Sequence, residues 1–333
     1  MPSNDAIYVE IPMDASIQEV WEPTQNPNLH QRWDLRFSEI EYLPRDSGES
    51  QQFTYSTGIG AFAVEGVGES VADATPTDHE PTSALQFWSD DPKSLIEHGR
   101  GYWRYVPSEE ELRFITEYNY DTRFGVLGRL VDRLAFRPLI GWATAWGFDA
   151  LRLWVEDDLP PEVTTRNAAI HALSRVTLAF VWIFLGLVPK LLVRHPTERA
   201  LTAATVPASL VDPALTALGS VEIGFGLFLL LSWRWRWPLV LSAILPPVLT
   251  FGALAARPGV FVGPFSPLIS TLALVILALT GYLAGAAMPT ARNCLRTRPQ
   301  RESRDNRETT EENGPAAIEE SNIGETTGAE PTE

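Results

Sequence analysis

Cysteine is almost absent: Cys294 stands alone in 333 residues, so no intramolecular disulfide and no paired-cysteine redox centre can form. Lysine is nearly as scarce, since Lys93 and Lys190 are the two lysines among 26 basic residues. The five histidines (His30, His79, His98, His171 and His195) show no metal-ligand spacing, and an isolated histidine is usually structural. A Gly-x-Ser-x-Gly elbow, a P-loop and a dinucleotide fingerprint are all missing. The N-terminus, MPSNDAIYVEI, has neither a basic region nor an apolar run, so no secretory leader is expected. A net charge of −16 opposes phosphate binding, and no nucleic-acid partner is expected.

Averages suggest an acidic soluble protein, with 45% hydrophobic residues and a mean hydropathy of −0.05. The charge distribution contradicts them. Residues 1–165 hold 29 acidic and 12 basic side chains, residues 166–300 hold 3 and 11, and residues 301–333 hold 10 and 3. Three segments this different do not share one solvent. The acidic, lysine-poor surface suits molar salt, where screening removes self-repulsion, and a halophilic source is the expectation. A high-GC genome would also favour arginine.

The first segment alternates strands and short helices. Residues 5–11 read as a strand. Asp14 to Trp21 reads as a helix with Asp14 as cap and Ile17, Val20 and Trp21 on one face. A second short helix runs from Leu29 to Trp33. About six strands follow over 37–124. The clearest is 111–120, where Leu112, Phe114, Thr116, Tyr118 and Tyr120 share one face. The period then lengthens: Leu127, Leu130, Val131 and Leu134 recur at helical spacing, with Pro138 as a kink or restart. This order gives an α+β layer fold, an antiparallel sheet with a long C-terminal helix on one face. Residues 1–158 form this domain, and the proline-paired stretch 159–167 reads as a linker.

Four apolar segments follow, at about 176–193, 213–232, 237–256 and 266–288. Each approaches the roughly 20 residues needed to cross a bilayer. Buried helices of a large soluble core are the alternative, but this stretch contains three acidic residues in all. Residues 168–290 are therefore read as an all-α, four-transmembrane-helix bundle. Trp233-Arg-Trp-Arg-Trp237 alternates aromatic and cationic groups, as at a lipid headgroup layer. Gly281-x-x-x-Gly285 and Ser220-x-x-x-Gly224 offer small faces for helix packing. With four spans, both termini share a side with the 233–237 turn. That side carries seven cationic residues, Arg166 and Arg298 among them, against four on the other. The expected arrangement is a multi-pass protein of the cell membrane with both termini cytoplasmic. Residues 291–333 read as a disordered acidic tail.

Glu222 sits mid-span, where an ionised carboxylate is costly. Lys190 ends the first span. Together with His195 or Arg175 they would line a polar site inside the bundle. Alternatively, Lys190 snorkels to the interface and Glu222 bonds a neighbouring helix.

Two resemblances extend this reading. Ile11-Pro-Met-Asp-Ala-Ser-Ile-Gln-Glu-Val-Trp21, then Asn26-Pro27 and His30-Gln-Arg-Trp33, resembles the opening of the START-like polyketide cyclase/dehydrase superfamily. The resemblance covers residues 5–156 and implies a helix-grip domain with an apolar cavity between sheet and helix. Its expected lining is Trp33, Phe62, Trp88, Trp103, Phe114, Tyr118 and Trp142, although aromatics of this kind also fill cores. Trp182, Gly186-Leu-Val-Pro-Lys190, His195-Pro196 and Gly219-x-x-Glu222-x-x-x-Gly226 resemble the DoxX-like family of four-span membrane proteins over residues 166–290. The leading expectation is a domain that binds a hydrophobic or lipid-like small molecule beside the bilayer. A quinone-linked redox subunit or enzyme is the alternative by family analogy, and a ligand-free stress-related membrane module is the third. Glu222 and Lys190 are the whole visible acid–base set, which favours binding over catalysis.

Overall fold

β1 (Ile7–Met13) turns Ile7, Val9, Ile11 and Met13 into the core, and every second side chain follows from the strand period of two. The computed structural model describes residues 6–46, 48–58, 63–72, 75–109, 111–262 and 266–299. α1 (Ile17–Gln25) starts at Ser16. The Ser16 side chain accepts from the Glu19 N–H while Glu19 accepts from the Ser16 N–H, a reciprocal capping box. Asp14 is therefore not the cap; its N–H donates to Glu156 of the long helix at 2.8 Å. α2 (Pro27–Trp33) begins with proline in its first turn, and the Asn26 side chain accepts from Asn28.

Six strands follow: β2 (Glu39–Tyr42), β3 (Gln52–Thr57), β4 (Val64–Ala72), β5 (Thr82–Trp88), β6 (Ile96–Pro107) and β7 (Leu112–Thr122). They pair antiparallel in the order β1-β7-β6-β5-β4-β3-β2. On β7 the residues Leu112, Phe114, Thr116, Tyr118 and Tyr120 are all buried, as their alternation predicts. α3 (Gly125–Val131) leads through a π-helical turn, Asp132–Phe136, into the long α4 (Arg137–Asp157). Pro138 lies in the first turn of α4, where its missing N–H breaks no bond. Phe148 on α4 stacks on Phe114 at 4.6 Å, so the helix closes the concave face of the sheet. This is the α+β helix-grip arrangement.

Asp158, in the left-handed conformation (φ 53°), reverses the chain after α4. α5 (Pro161–Leu185) begins three residues later. The linker expected over 159–167 is thus largely helix: Pro161 and Thr164 are buried, and Glu162 pairs with Arg32 at 2.6 Å. α5 continues as a π-helical segment, Gly186–Leu192. Together with Ala208–Leu231, Trp237–Ala256 and Pro267–Ala284, it gives four helices long and apolar enough to cross a membrane. We number the shorter α6 (Pro196–Ala203), then α7 (Val211–Leu231), α8 (Trp237–Ala256) and α9 (Pro267–Ala284).

Close contacts set the bundle's register. A Cβ on Gly186 would lie 2.4 Å from the Gly219 carbonyl oxygen, and one on Gly226 would lie 2.7 Å from that of Ala179. α5 and α7 therefore touch backbone to backbone, running antiparallel. Gly281 and Gly285 pack against Ser174 and His171, whereas a Cβ on Gly224 would meet nothing. The second small-residue face expected from sequence is thus not a packing face. After α9 the chain returns to the sheet domain. Thr290 and Asn293 donate to Asp149 at 2.7 and 2.9 Å, and Leu295 exchanges two 2.9 Å backbone hydrogen bonds with Glu10. Residues 291–295, expected to open the tail, instead run along the free edge of β1. Residues 300–333 lie outside the described residues.

Candidate functional site

Between α4 and the sheet lies a cavity of about 810 Å³. Its wall is mainly apolar, with Phe37, Ile40, Phe53, Leu85, Phe87, Trp103, Phe136 and Ile140. Leu85 and Phe87 point inward on β5, so the strand period turns Trp88 away. Of the expected lining, Trp103 and Tyr118 border the cavity. Trp33 and Phe114 belong to the solid core instead: Phe114 fills the sheet–helix contact, and the Trp33 indole donates to the Pro23 carbonyl at 3.0 Å. Trp142 projects outward from α4 and is exposed. Phe62 lies outside the described residues.

The cavity also holds one polar centre that sequence reading missed. Asp34 ends α2, and its fully buried carboxylate accepts from Arg36 Nε at 2.9 Å, Arg36 Nη2 at 2.6 Å and His30 Nε2 at 2.9 Å. Arg36 and His30 both border the cavity. Burial works against ionising Asp34, but the Arg36 charge and the hydrogen bonds from Arg36 and His30 outweigh it and hold the carboxyl well below the usual range. Burial pulls His30 down, with Asp34 offsetting part of the effect, so the ring is neutral at pH 7. Tyr55 is pushed up to about 12 by burial, and burial raises Tyr118 as well. The Asp34–Arg36–His30 centre therefore carries no net charge at neutral pH, and Arg45 and Lys93 also border the cavity. Two of the five N–H donors of a guanidinium are spent on Asp34. The signal available in sequence was the spacing His30-x-x-x-Asp34-x-Arg36 beside a run of aromatics.

The polar residues expected inside the bundle divide into separate sites. Lys190 Nζ lies 2.9 Å from Glu222 and 3.5 Å from Glu198. The tilt of side chains toward each helix's own N-terminus explains the meeting: on antiparallel α5 and α7, Lys190 leans back toward Gly186 while Glu222 leans toward Gly219. Pro189 lacks an N–H, and Lys190 Nζ also donates to the Leu185 carbonyl at 3.3 Å. Arg175 is elsewhere. Its guanidinium donates to the carbonyls of Leu229, Ser232 and Trp235 at 3.0, 2.7 and 2.5 Å, capping the C-terminus of α7. His195 is exposed and caps α6, accepting from Thr197 at 3.3 Å. Among the described residues, no group of three His, Cys, Asp or Glu side chains is placed to hold a metal.

The model of the DoxX-like family matches residues 179–279. The Uncharacterized membrane protein YndG of Bacillus subtilis (strain 168) is 48% identical over 182 residues, which cover 54% of this chain and 68% of that protein. The chain belongs to this family of DoxX-like membrane proteins. Its DoxX-like domain contains both glycine contacts and the Lys190–Glu222 pair. Solved structures similar to the sheet domain include a protein from Thermus thermophilus (15% identity, 45% of this chain and 96% of that one, TM-score 0.35). A STAR-related lipid transfer protein from Xanthomonas axonopodis matches at 15% identity over 46% and 96%, with a TM-score of 0.34. The Zhui aromatase/cyclase from Streptomyces sp. R1128 matches at 14% identity over 44% and 95%, with a TM-score of 0.32.

Proposed function

We propose that the sheet domain binds an apolar small molecule with one polar, hydrogen-bond-accepting end, and that the DoxX-like bundle holds this domain at the bilayer. The cavity carries the reading. Its volume of about 810 Å³ lies within the range of small-molecule sites, and a mainly apolar wall with a few polar groups is what such sites use. Arg36 meets the ligand's polar end, and the aromatic and aliphatic wall takes its body. The Arg36 charge is already matched by Asp34, so a neutral polar end meets this centre without a compensating charge.

The sheet domain, the turn after α7 and residues 287–296 share one end of the bundle. We place that end in the cytoplasm. Arg175 and Lys190 are buried inside the protein and drop out of the arginine–lysine count, which changes from seven against four to six against three. Organic extraction of the purified full chain, with mass spectrometry, tests the binding. The reading expects one stoichiometric apolar molecule from the wild type and less from Leu85→Trp, which narrows the cavity. A wild-type protein yielding no such molecule contradicts it.

A further inference from the structure

Residues 124–139 differ from the rest of the sheet domain in two ways. Phe124, Val126, Leu127, Leu130, Val131, Leu134 and Leu139 are all exposed, Val126 to 75% and Leu134 to 71%. These residues follow one another through α3, the π-helical turn and the start of α4, so they form one patch and not scattered exposures. The charge also reverses. Arg123, Arg129, Arg133 and Arg137 stand against Asp132 alone in residues 123–137, although residues 1–165 hold 29 acidic and 12 basic side chains. Arg123 and Arg137 are engaged with the protein, through the Asp91 and Ser89 carbonyls and through Asp132. Arg129 and Arg133 are exposed between the exposed leucines.

The same segment is the rim of the cavity. Phe124, Leu127, Val131 and Leu139 line it while remaining exposed on their outer sides. Its position favours one partner. The chain leaving the last span meets α4 at its middle, where Thr290 bonds Asp149 and Cys294 bonds the Ala145 carbonyl. From Asp149 back to Arg137 is roughly 18 Å of helix. The patch is therefore held within about 18 Å of helix from the strap that follows the last span.

We propose that α3 and the turn after it dock on an anionic lipid surface. The leucines enter the boundary between headgroups and acyl chains, and Arg129 and Arg133 meet lipid phosphates. An exposed apolar face flanked by arginines is the pattern of a helix lying in the membrane interface. The rim then opens toward lipid, so an apolar molecule passes between bilayer and cavity without crossing water. That route rests on the binding reading above, whereas the docking itself does not.

The test uses the full chain reconstituted in phosphatidylcholine vesicles with and without phosphatidylglycerol. Leu130→Cys and Leu134→Cys carry an environment-sensitive fluorophore, with Glu49→Cys as the exposed control. Nitroxide lipids labelled near the headgroup are expected to quench positions 130 and 134 several-fold more than position 49 in the anionic vesicles. Arg129→Gln with Arg133→Gln is expected to reduce that quenching. Labels at 130 and 134 that respond like the control overturn the proposal. So do labels shielded from aqueous iodide but untouched by lipid nitroxide, because a protein would then cover the face. An empty cavity would leave the quenching result intact, so failure of the ligand reading and failure of docking are distinguishable.

Discussion

Arg36 joins the cavity wall to the buried carboxylate of Asp34. Removing one member of a buried pair leaves the other charge unpaired and costs about 3–5 kcal/mol. Arg36→Leu is therefore expected to destabilise the protein by that amount in thermal or denaturant unfolding followed by tryptophan fluorescence, and to release any bound molecule. Arg36→Lys, which keeps the charge but loses the two-pronged bond, should fall between. Acid should act at the same place. The His30 titration is lowered in the folded protein, so its contribution to stability is present above about pH 6.5, its unfolded value, and is lost as pH falls below that. Asp34 is lowered too, and its contribution is lost at still lower pH. Stability measured from pH 7.5 down should decline below 6.5, and His30→Gln should flatten the first part of that decline.

At the scale of elements, the α5–α7 contact concentrates two features. The helices approach until Gly186 and Gly219 face each other's carbonyls, and the Lys190–Glu222 pair closes the seam beside them. Gly186→Val has no room, since even a Cβ lies 2.4 Å from backbone; it should lower the Tm of the detergent-solubilised chain and separate the helices. Glu222→Gln and Lys190→Met should each destabilise the bundle. The double variant should lose less than the sum of the singles, because neither buried member of the pair is left without the other. Additive losses would show that the pair does not interact.

These elements also show what the sequence could reveal. The β7 alternation, the helical period after residue 125 and the four apolar segments are local patterns, and each became the expected element. Glu222 and Lys190 could be paired because a buried charge demands a partner. Arg175 misled for the same reason: its partners are the backbone carbonyls ending α7, which have no residue signature. Asp34 and Arg36 look like surface loop charges in sequence, and the chain folds aromatics over them. The return of residues 290–295 to β1 is a long-range contact that no local period encodes. Trp33, Phe114, Trp88 and Trp142 are aromatic for packing or exposure, and composition alone does not separate such roles from lining a cavity.

At the scale of the whole molecule, an acidic helix-grip domain is fixed to a basic four-helix bundle through α5 and the strap after α9. The fixing is rigid in chemical terms: Asp149 holds the strap, Glu162 holds Arg32, and α5 begins inside the sheet domain's packing. A sheet domain held this firmly stays at one distance from the bilayer. The central claim is that its cavity is occupied from that bilayer. An experimental structure of the full chain in native lipid tests this most directly. The account predicts elongated density within the cavity, with its polar end at hydrogen-bond distance from Arg36 and its apolar body between Leu85, Phe87 and Ile140. A cavity filled by repacked side chains, or by ordered water alone, would contradict it.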